Sequence, residues 1–426
     1  MKRIFYSLLI AAVILPGATA HLQARDRKPK TSKTVQAAEP VRNVILMIGD
    51  GMGLAQVTSY MLRGGAPLSL ARAQSIGLQS TFSASSEVTD SAAAATALAT
   101  GTKTNNGMIS MTPDKQPLRS VLERAAAAGL ATGLVDTHAI TDATPVAFIG
   151  HNESRKNEDD LAADFLRTDI DLFIGGGRDH FEKRSDGRNI SDELREKGYT
   201  VAYSLDTLAA LDKSPVGILL ADKSLPLVSQ GRGDMLPRAT DQALRLLSAN
   251  GDKGFFVMIE GSHIDNGGHD NNAETVLSEI RDFDAAVKIA LDFADRTPGT
   301  LVIITGDHET GGMTLPSDEN KFDMGKLQPG DKNRATVQFS TKGPHGVPDP
   351  CLRLRRGCGT VQRFHGQHRY PETNRRSTTS GISQNSRRRN NIHSPDIRHK
   401  AEGADDPLLF VFLRHASPCR CYNPQY

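Results

Sequence analysis

The sequence predicts an α/β fold in which helices cover both faces of a large, mostly parallel sheet. Short apolar segments without apolar–polar alternation predict strands that are buried on both faces. They lie at residues 44–48, 134–135, 172–174, 255–259 and 301–304. Ala-rich or amphipathic stretches separate these segments, and this alternation favours parallel strands connected through helices.

Four of the intervening stretches predict helices. They cover residues 91–98, 120–128, 239–248 and 274–294. The last stretch is expected to pack one face on the sheet, because apolar residues recur at helical spacing at Val276, Ile280, Phe283, Val287 and Leu291. The segment 179–238 is rich in Gly and Pro turns, and we expect it to be a crossover remote from the functional site.

The N-terminus has the pattern of an export signal. Lys2 and Arg3 precede an apolar segment, and small residues at Ala18-Thr19-Ala20 form a cleavage site. The apolar segment is shorter than the roughly twenty residues that a membrane-spanning helix needs. We therefore expect residues 1–20 to be removed, residues 21–40 to be a flexible linker, and the mature chain to be periplasmic or secreted with no membrane attachment.

Charge divides the rest of the chain near Gly343. Residues 1–343 contain 37 Lys and Arg against 43 Asp and Glu, whereas residues 344–426 contain 14 against 6. All four Cys also lie after Gly343. Residues 41–343 are therefore expected to form one folded domain, and residues 344–426 a basic, disordered tail. An Arg-rich tail is also typical of nucleic-acid binding, which would predict salt-sensitive binding by the tail alone.

Three of the predicted strands end in carboxylates flanked by glycine: Asp50, Glu260 and Asp307, the last followed by His308. The carboxyl ends of parallel strands meet at one edge of a sheet, where ligands bind. Asp265 lies four residues before His269, just after the second of these strands. Carboxylate with imidazole suits Zn²⁺, and an all-oxygen set suits Mg²⁺.

Ser91 begins an Ala-rich helix and is a candidate nucleophile. A hydroxyl beside cation-binding carboxylates suits attack on an anionic substrate. Each residue also has an ordinary alternative: a strand-end Asp as a turn former, Ser91 as a helix cap, and the pair Asp265 and His269 as a surface contact. These alternatives become unfavourable only when they are taken together, because carboxylates gathered at one edge repel one another and require cations.

Five motifs, in order, resemble those of the bacterial alkaline phosphatases, and the likeness covers about residues 41–343. They read NVILMIGDGMG at 43–53, TDSAA at 89–93, DATP at 142–145, EGSHID at 260–265 and GDHETGG at 306–312. The resemblance implies an alkaline phosphatase-like fold and a metal-dependent phosphomonoesterase. It further implies a phosphoserine intermediate, two Zn²⁺ ions, one Mg²⁺ ion and small phosphate monoesters as substrates, and it allows a homodimer.

The resemblance also implies a role for each candidate residue. Ser91 would be the nucleophile, and Asp50, Asp307 and His308 would hold the zinc that activates it. Asp50 would bridge to magnesium, whose site Thr144 and Glu260 would complete, with Asp142 supporting it directly or through water. Asp265 and His269 would hold the second zinc. Arg155 would clamp the phosphate; its ordinary alternative is a solvated helix arginine.

The resemblance ends at Gly343. In the family, the His of a His-Thr-Gly string supplies a third ligand of the second zinc, whereas this chain reads Pro344-His345-Gly346. Codons can be chosen for residues 344–373 that, read after the first nucleotide is dropped, spell His-Thr-Gly and then Pro-Ile-Pro-Val-Tyr-Ala-Tyr. We therefore hypothesise a frameshift near Gly343, which explains the Arg and Cys of the tail without a nucleic-acid partner. His345, displaced by one position, is the candidate replacement ligand.

Two other functions stay open. If the altered C-terminus removes a zinc ligand, the chain would be a catalytically impaired metal- or phosphate-binding relative. A related phosphodiesterase would share the two-metal chemistry. A sulfatase is not favoured, because the Cys-x-Pro-x-Arg context that sulfatases need is missing from the sequence.

Overall fold

A computed structural model of the chain describes residues 40–63, 68–315, 337–347 and 349–355. For residues 353–355 it describes the backbone alone. The predicted export signal, residues 21–39 of the predicted linker and the tail beyond Arg355 lie outside the described residues. None of the helices in the described segments combines the length and the apolar character that crossing a bilayer requires.

The strands of the described residues vary in length from two to nine residues. They are β1 (Asn43–Gly49), β2 (Ser75–Gln79), β3 (Ala131–Ala139), β4 (Leu172–Gly176), β5 (Thr200–Ala202), β6 (Val216–Leu219), β7 (Phe255–Gly261), β8 (Thr300–Gly306), β9 (Glu309–Thr310), β10 (Met313–Thr314), β11 (Gln338–Phe339), β12 (Pro344–His345) and β13 (Asp349–Arg355).

The helices lie mostly between consecutive strands of the sheet. They are α1 (Leu54–Arg63), α2 (Ser91–Thr100), α3 (Val121–Ala127), α4 (Ala143–Val146), α5 (Glu158–Asp164), α6 (Arg178–Glu182), α7 (Ile190–Glu196), α8 (Leu205–Ala209), α9 (Met235–Asn250), α10 (His263–His269) and α11 (Ala273–Arg296), with 3-10 turns at Ser69–Arg72 and Val228–Gln230.

The predicted mostly parallel sheet is confirmed. Nine strands pair in the order β2-β13-β8-β1-β7-β3-β4-β6-β5, and all neighbours are parallel except the two that involve β13. The five apolar segments of the sequence form the five consecutive strands from β8 to β4. Strand β1 lies among them, paired with β8 on one side and β7 on the other.

Helices cover both faces of this sheet, as predicted. Ile45 and Met47 of β1 belong to one hydrophobic core, and the residues that alternate with them, Val44 and Leu46, belong to the other. The apolar face of α11 lies in the first core, and apolar residues of α2 and α3 lie in the second. Burial of both faces explains why these strands show no alternation in sequence.

The prediction for residues 179–238 was wrong in part. This segment supplies β5 and β6, the two outermost strands at the edge of the sheet opposite β2. The strands are only three and four residues long, and the surrounding turn residues obscure so short a pattern. The segment also reaches α10, because the carbonyl oxygen of Leu225 lies 2.9 Å from Nε2 of His263.

The expectation of disorder from Pro344 onward was also wrong for the first residues of the tail. Pro344 and His345 pair with β9, and β13 lies between β8 and β2, antiparallel to both. Strand pairing uses main-chain N–H and C=O groups, and only proline lacks the N–H, so a segment whose side chains do not fit can still pair with β8 and β2. Leu352 contributes to the core in this position.

Asp349, the first residue of β13, does not suit its surroundings. It is fully buried, and neither carboxyl oxygen has a hydrogen-bond partner among the described residues. Burial, followed by repulsion from the carboxylates of Asp307 and Glu309, raises the pKa of Asp349 to about 9. The side chain is therefore protonated in the folded protein at neutral pH.

Replacing Asp349 by Asn should raise the free energy of unfolding at alkaline pH. An unfolded aspartate titrates at about 3.9, so between that pH and about 9 the folded state holds one more proton than the unfolded state at Asp349. Folding stability therefore falls with rising pH across this interval, by up to roughly 1.4 kcal/mol per pH unit, and Asn lacks this dependence.

Urea unfolding of both proteins at pH 5 and pH 8 measures the effect. The free energy of unfolding of D349N should exceed that of wild type by an amount that increases with pH. The exposed Asp206→Asn is the matched control and should leave the pH dependence unchanged. A stability difference between D349N and wild type that does not vary with pH would contradict the assignment.

Candidate active site

The parallel register brings the three predicted strand ends to one edge of the sheet. Gly49 is the Cα partner of both Gly261 and Gly306, so Asp50 and Asp307 follow at the same level on neighbouring strands. Glu260 precedes Gly261 on β7. These three carboxylates are at most 6% exposed. The prediction that they meet at one edge is confirmed.

Ser91 faces this edge from the first residue of α2. Its Oγ lies 3.2 Å from Nε2 of His308. The helix is capped not by Ser91 but by Asp90, whose carboxylate accepts from the backbone N–H groups of Ala93 and Gly107, each at 3.0 Å. The alternative that Ser91 serves as the cap is therefore wrong, and its hydroxyl is available to the site.

His308 directs its Nε2 atom toward the carboxylates. This atom lies 3.4 Å from Oδ2 of Asp307 and 3.6 Å from Oδ1 of Asp50. The Nδ1 atom lies 3.1 Å from Oγ1 of Thr310, and that hydroxyl donates to Asp265. Because the hydroxyl has a single proton, it accepts from Nδ1–H, which leaves the lone pair of Nε2 directed into the site.

Asp265 and His269 form the second predicted group, on α10. Oδ2 of Asp265 lies 3.0 Å from Nε2 of His269, and the carbonyl oxygen of Lys342 accepts from Nδ1. The hydrogen bond to Asp265 raises the pKa of His269 to about 9. Burial alone would raise the pKa of Asp265, but the neighbouring imidazoles of His269 and His308 lower it overall.

Glu260 interacts with Thr144 within the site. Burial, and then the carboxylates of Asp136, Asp142 and Asp307, raise the pKa of Glu260 well above its usual range, although the Thr144 hydroxyl lowers it. Burial, and next the carboxylates of Asp307, Asp265 and Glu260, also raise the pKa of Asp50. The edge thus concentrates more negative charge than its own cations offset.

Arg155 is the principal protein cation beside Asp142. Its Nη2 lies 2.8 Å from Oδ1 of Asp142, and its Nη1 lies 3.8 Å from Oδ2 of Asp90. Burial would lower the pKa of Arg155, but the carboxylates of Asp142, Asp50 and Asp90 raise it, so the guanidinium stays charged. Arg155 lies in a turn rather than on a solvated helix, and its role on phosphate stays a prediction.

His345 does not join Asp265 and His269 in the described contacts. It is the Cα partner of Glu309 across β9 and β12, and its Nδ1 lies 3.8 Å from Oε2 of Glu309. The prediction that His345 replaces the missing ligand therefore gains no support from the geometry.

Asp136, His138 and Thr310 belong to the site, although sequence reasoning missed them. Asp136 follows the apolar residues of β3 just as Asp50 follows those of β1, so the strand-end pattern could have identified it. His138 lies 3.2 Å from Asp142. No sequence pattern marks Thr310, because its role depends on contacts with Asp265 and His308.

Comparisons with known proteins give the same picture. The model of the alkaline phosphatase family matches residues 41–402. The chain belongs to the alkaline phosphatase family. Two alkaline phosphatases of Bacillus subtilis (strain 168), numbers 4 and 3, are 36% and 38% identical to it over 338 residues, which are 75% of this chain and 72% of each relative. It is therefore a phosphomonoester hydrolase.

Solved structures agree with this assignment. The alkaline phosphatase from the Antarctic bacterium TAB5 superposes with a TM-score of 0.69 at 38% identity, covering 74% of this chain and 92% of that chain. A histidine-to-aspartate variant of the same enzyme, with magnesium bound in its M3 site, has a TM-score of 0.68 at 39% identity, covering 75% and 92% of the two chains.

The family implies divalent metal ions, and the residues of this chain fit them. Oδ1 of Asp50, Oδ2 of Asp307 and Oε2 of Glu260 are buried without a well-formed hydrogen bond. Asp50, Asp265 and His308 each offer a ligand atom, and these atoms lie within 4.8 Å of one another. Carboxylate oxygens and imidazole nitrogens are the donors that Zn²⁺ and Mg²⁺ use.

Thr310→Val should weaken zinc binding. The substitution keeps a side chain of similar size but removes the hydroxyl that orients His308 and contacts Asp265, and loss of such an orienting group typically costs about 10–100-fold in metal affinity. Thr310→Ser, the matched control, keeps the hydroxyl and should bind zinc nearly as wild type does. Equilibrium dialysis against buffered Zn²⁺, with circular dichroism to report folding, makes the comparison. Equal affinities for the Val and Ser variants would rule out this role.

Proposed function

We propose that this alkaline phosphatase is an exported enzyme that hydrolyses small phosphate monoesters through a phosphoserine on Ser91, with two Zn²⁺ ions and one Mg²⁺ ion. The observation that carries the proposal is the 3.2 Å separation between Oγ of Ser91 and Nε2 of His308. It joins a buried hydroxyl to a set of strand-end carboxylates that require cations.

The donors divide into three groups. Asp50, Asp307 and His308 would hold the zinc nearest Ser91. Asp265 and His269 would hold the second zinc, and Asp50, Thr144 and Glu260 would hold magnesium. When bound, the metal ions lower the pKa of the nucleophile and stabilise charge on the phosphoryl oxygens and the leaving group.

The chemistry on the protein is a double displacement. Oγ of Ser91 attacks phosphorus, the ester P–O bond breaks, and the departing alcohol takes up a proton. A water molecule then attacks the phosphorus of phosphoserine and releases Ser91 and inorganic phosphate. Arg155 suits the transferred group, because its planar guanidinium can donate to two phosphoryl oxygens at once. Asp142 and Asp90 hold the guanidinium in place.

Broad specificity for the leaving group follows from this arrangement. The metal ions held by the proposed ligands, together with Arg155, would interact with the phosphoryl group alone, so the alcohol portion of the ester can vary. We expect an alkaline optimum, because the carboxylates around the cations can bind them only when they are ionised. A homodimer stays a prediction.

One observation favours a second candidate. Because His345 contacts Glu309 rather than Asp265 or His269, the second zinc has two firm protein ligands among the described residues. An impaired metal- or phosphate-binding protein would then result. Zinc content separates the two: two zinc ions per chain with turnover supports the enzyme, and one zinc ion without phosphate release supports the impaired protein. Assays with a phosphate diester test the phosphodiesterase alternative.

Ser91→Ala should abolish hydrolysis of a chromogenic phosphomonoester, with a loss of several orders of magnitude, because the substitution removes the hydroxyl that attacks phosphorus. Acid-quenched wild type incubated with labelled phosphate should carry label on Ser91. Ser191→Ala, which also removes a buried serine hydroxyl but lies on α7, should retain activity. Turnover by S91A at the wild-type rate would exclude the proposed nucleophile.

Export is tested separately. N-terminal sequencing of the protein recovered from the periplasm or the medium of an expressing bacterium should begin at His21, because Ala18-Thr19-Ala20 is the predicted cleavage site. Recovery of the chain only in the cytoplasm, with Met1 intact, would contradict export.

A further inference from the structure

Strand β3 contributes a carboxylate that none of the three proposed metal sites uses. Asp136 is completely buried, and it is the Cα partner of Glu260 across β3 and β7. Paired residues of neighbouring strands project from the same face of a sheet. The carboxyl groups of Asp136 and Glu260 therefore lie side by side at the edge that holds Asp50.

One oxygen of Asp136 is held in place, and the other is unpaired. Oδ1 accepts from the backbone N–H of His138 at 2.8 Å and from the hydroxyl of Ser262. Oδ2 is buried without a hydrogen-bond partner in the described residues, as is Oε2 of Glu260 by the same geometric criteria. Two such oxygens on adjacent strands are costly unless a cation lies between or beside them.

Asp142 differs from Asp136 in this respect. Its Oδ1 accepts from Nη2 of Arg155 at 2.8 Å and from the backbone N–H of Ala143 at 2.7 Å. Its Oδ2 lies 3.2 Å from Nδ1 of His138. Oδ1 of Asp142 is thus occupied by protein groups, Oδ2 lies within ion-pair distance of an imidazole, and the side chain is partly exposed. Its contacts suit positioning of Arg155 better than binding of a cation.

The geometry of these two carboxylates suits a hard cation. Asp136 and Glu260 are Cα partners across β3 and β7, and each has a buried oxygen without a hydrogen-bond partner among the described residues. A divalent cation would relieve the repulsion between the two carboxylates, and an all-oxygen set of carboxylates and a hydroxyl suits Mg²⁺.

We propose that Asp136, rather than Asp142, completes the cation site formed by Asp50, Thr144 and Glu260, bound to the cation directly or through one water molecule. Ser262 and the backbone of His138 orient the carboxylate for this role. The inference rests on the proposed function, because that function supplies the magnesium site.

The test measures magnesium binding by full-length protein that has been stripped of metal and reloaded with zinc. Calorimetric titration with Mg²⁺, and electron paramagnetic resonance with Mn²⁺, should show affinity about tenfold or more weaker in Asp136→Asn than in wild type. Asn keeps an oxygen to accept from Ser262 and His138. The zinc content should not change.

Two further variants make the comparison specific. Asp142→Asn should keep a magnesium affinity close to that of wild type and bind inorganic phosphate more weakly, through Arg155. Asp284→Asn removes a buried carboxylate that accepts from the backbone of Ser69 and Leu70, and it should leave magnesium binding unchanged. Wild-type affinity in D136N, or a loss in D142N that equals the loss in D136N, would overturn the proposal.

A crystal structure of the wild-type protein with Mn²⁺ in place of Mg²⁺ decides the matter if D136N does not fold. Manganese bound to Asp136, or one water molecule away from it, supports the proposal, and a greater separation overturns it. Wild type that binds no Mg²⁺ and hydrolyses no ester would overturn the proposed function as well. If wild type is active and D136N has the same Mg²⁺ affinity as wild type, this inference alone is overturned.

Discussion

Repulsion among buried carboxylates is the constraint on which the rest of this site depends. The parallel register of β8, β1, β7 and β3 places Asp307, Asp50, Glu260 and Asp136 at one edge of the sheet. Ionised carboxylates at such an edge destabilise the fold unless positive charge offsets them. The divalent cations that the family implies would offset this charge, and they would also act as Lewis acids that stabilise the charge of a phosphoryl group.

Close contacts among the loops that follow the strands hold this arrangement. The backbone N–H of Gly51 donates to Asp307 at 3.1 Å. Gly51 has a φ of 70°, and a Cβ at this position would lie 2.7 Å from Cα of Asp265. Only glycine permits both the left-handed backbone and this approach of β1 to α10. Thr310 adds a second link, because its hydroxyl contacts both His308 and Asp265.

The C-terminal segment shows how a position within a sheet can be occupied by a sequence that does not suit it. Main-chain pairing places β13 beside β8, yet the same register buries Asp349 without a partner. His345 pairs with Glu309 instead of joining Asp265 and His269. The frameshift near Gly343 stays a hypothesis, and the family model matches the chain beyond that point, as far as residue 402.

The sequence alone determined the five central strands, the helices that cover them and the chemistry-bearing residues at the strand ends, because burial on both faces and glycine-flanked carboxylates leave local patterns. Strands β2, β5, β6 and β13 of the nine-stranded sheet were not recognised. Strands β5 and β6 are too short, β13 pairs through its backbone, and β2 leaves its apolar residues Ile76 and Leu78 exposed. Only the tertiary structure decided that Asp90 rather than Ser91 caps α2, that Arg155 contacts Asp142, and that Thr310 and Asp136 belong to the site. The cap is a local contact between Asp90 and Ala93, and Asp136 fits the strand-end pattern. The roles of Arg155 and Thr310 depend on contacts with residues elsewhere in the chain, for which no local pattern exists.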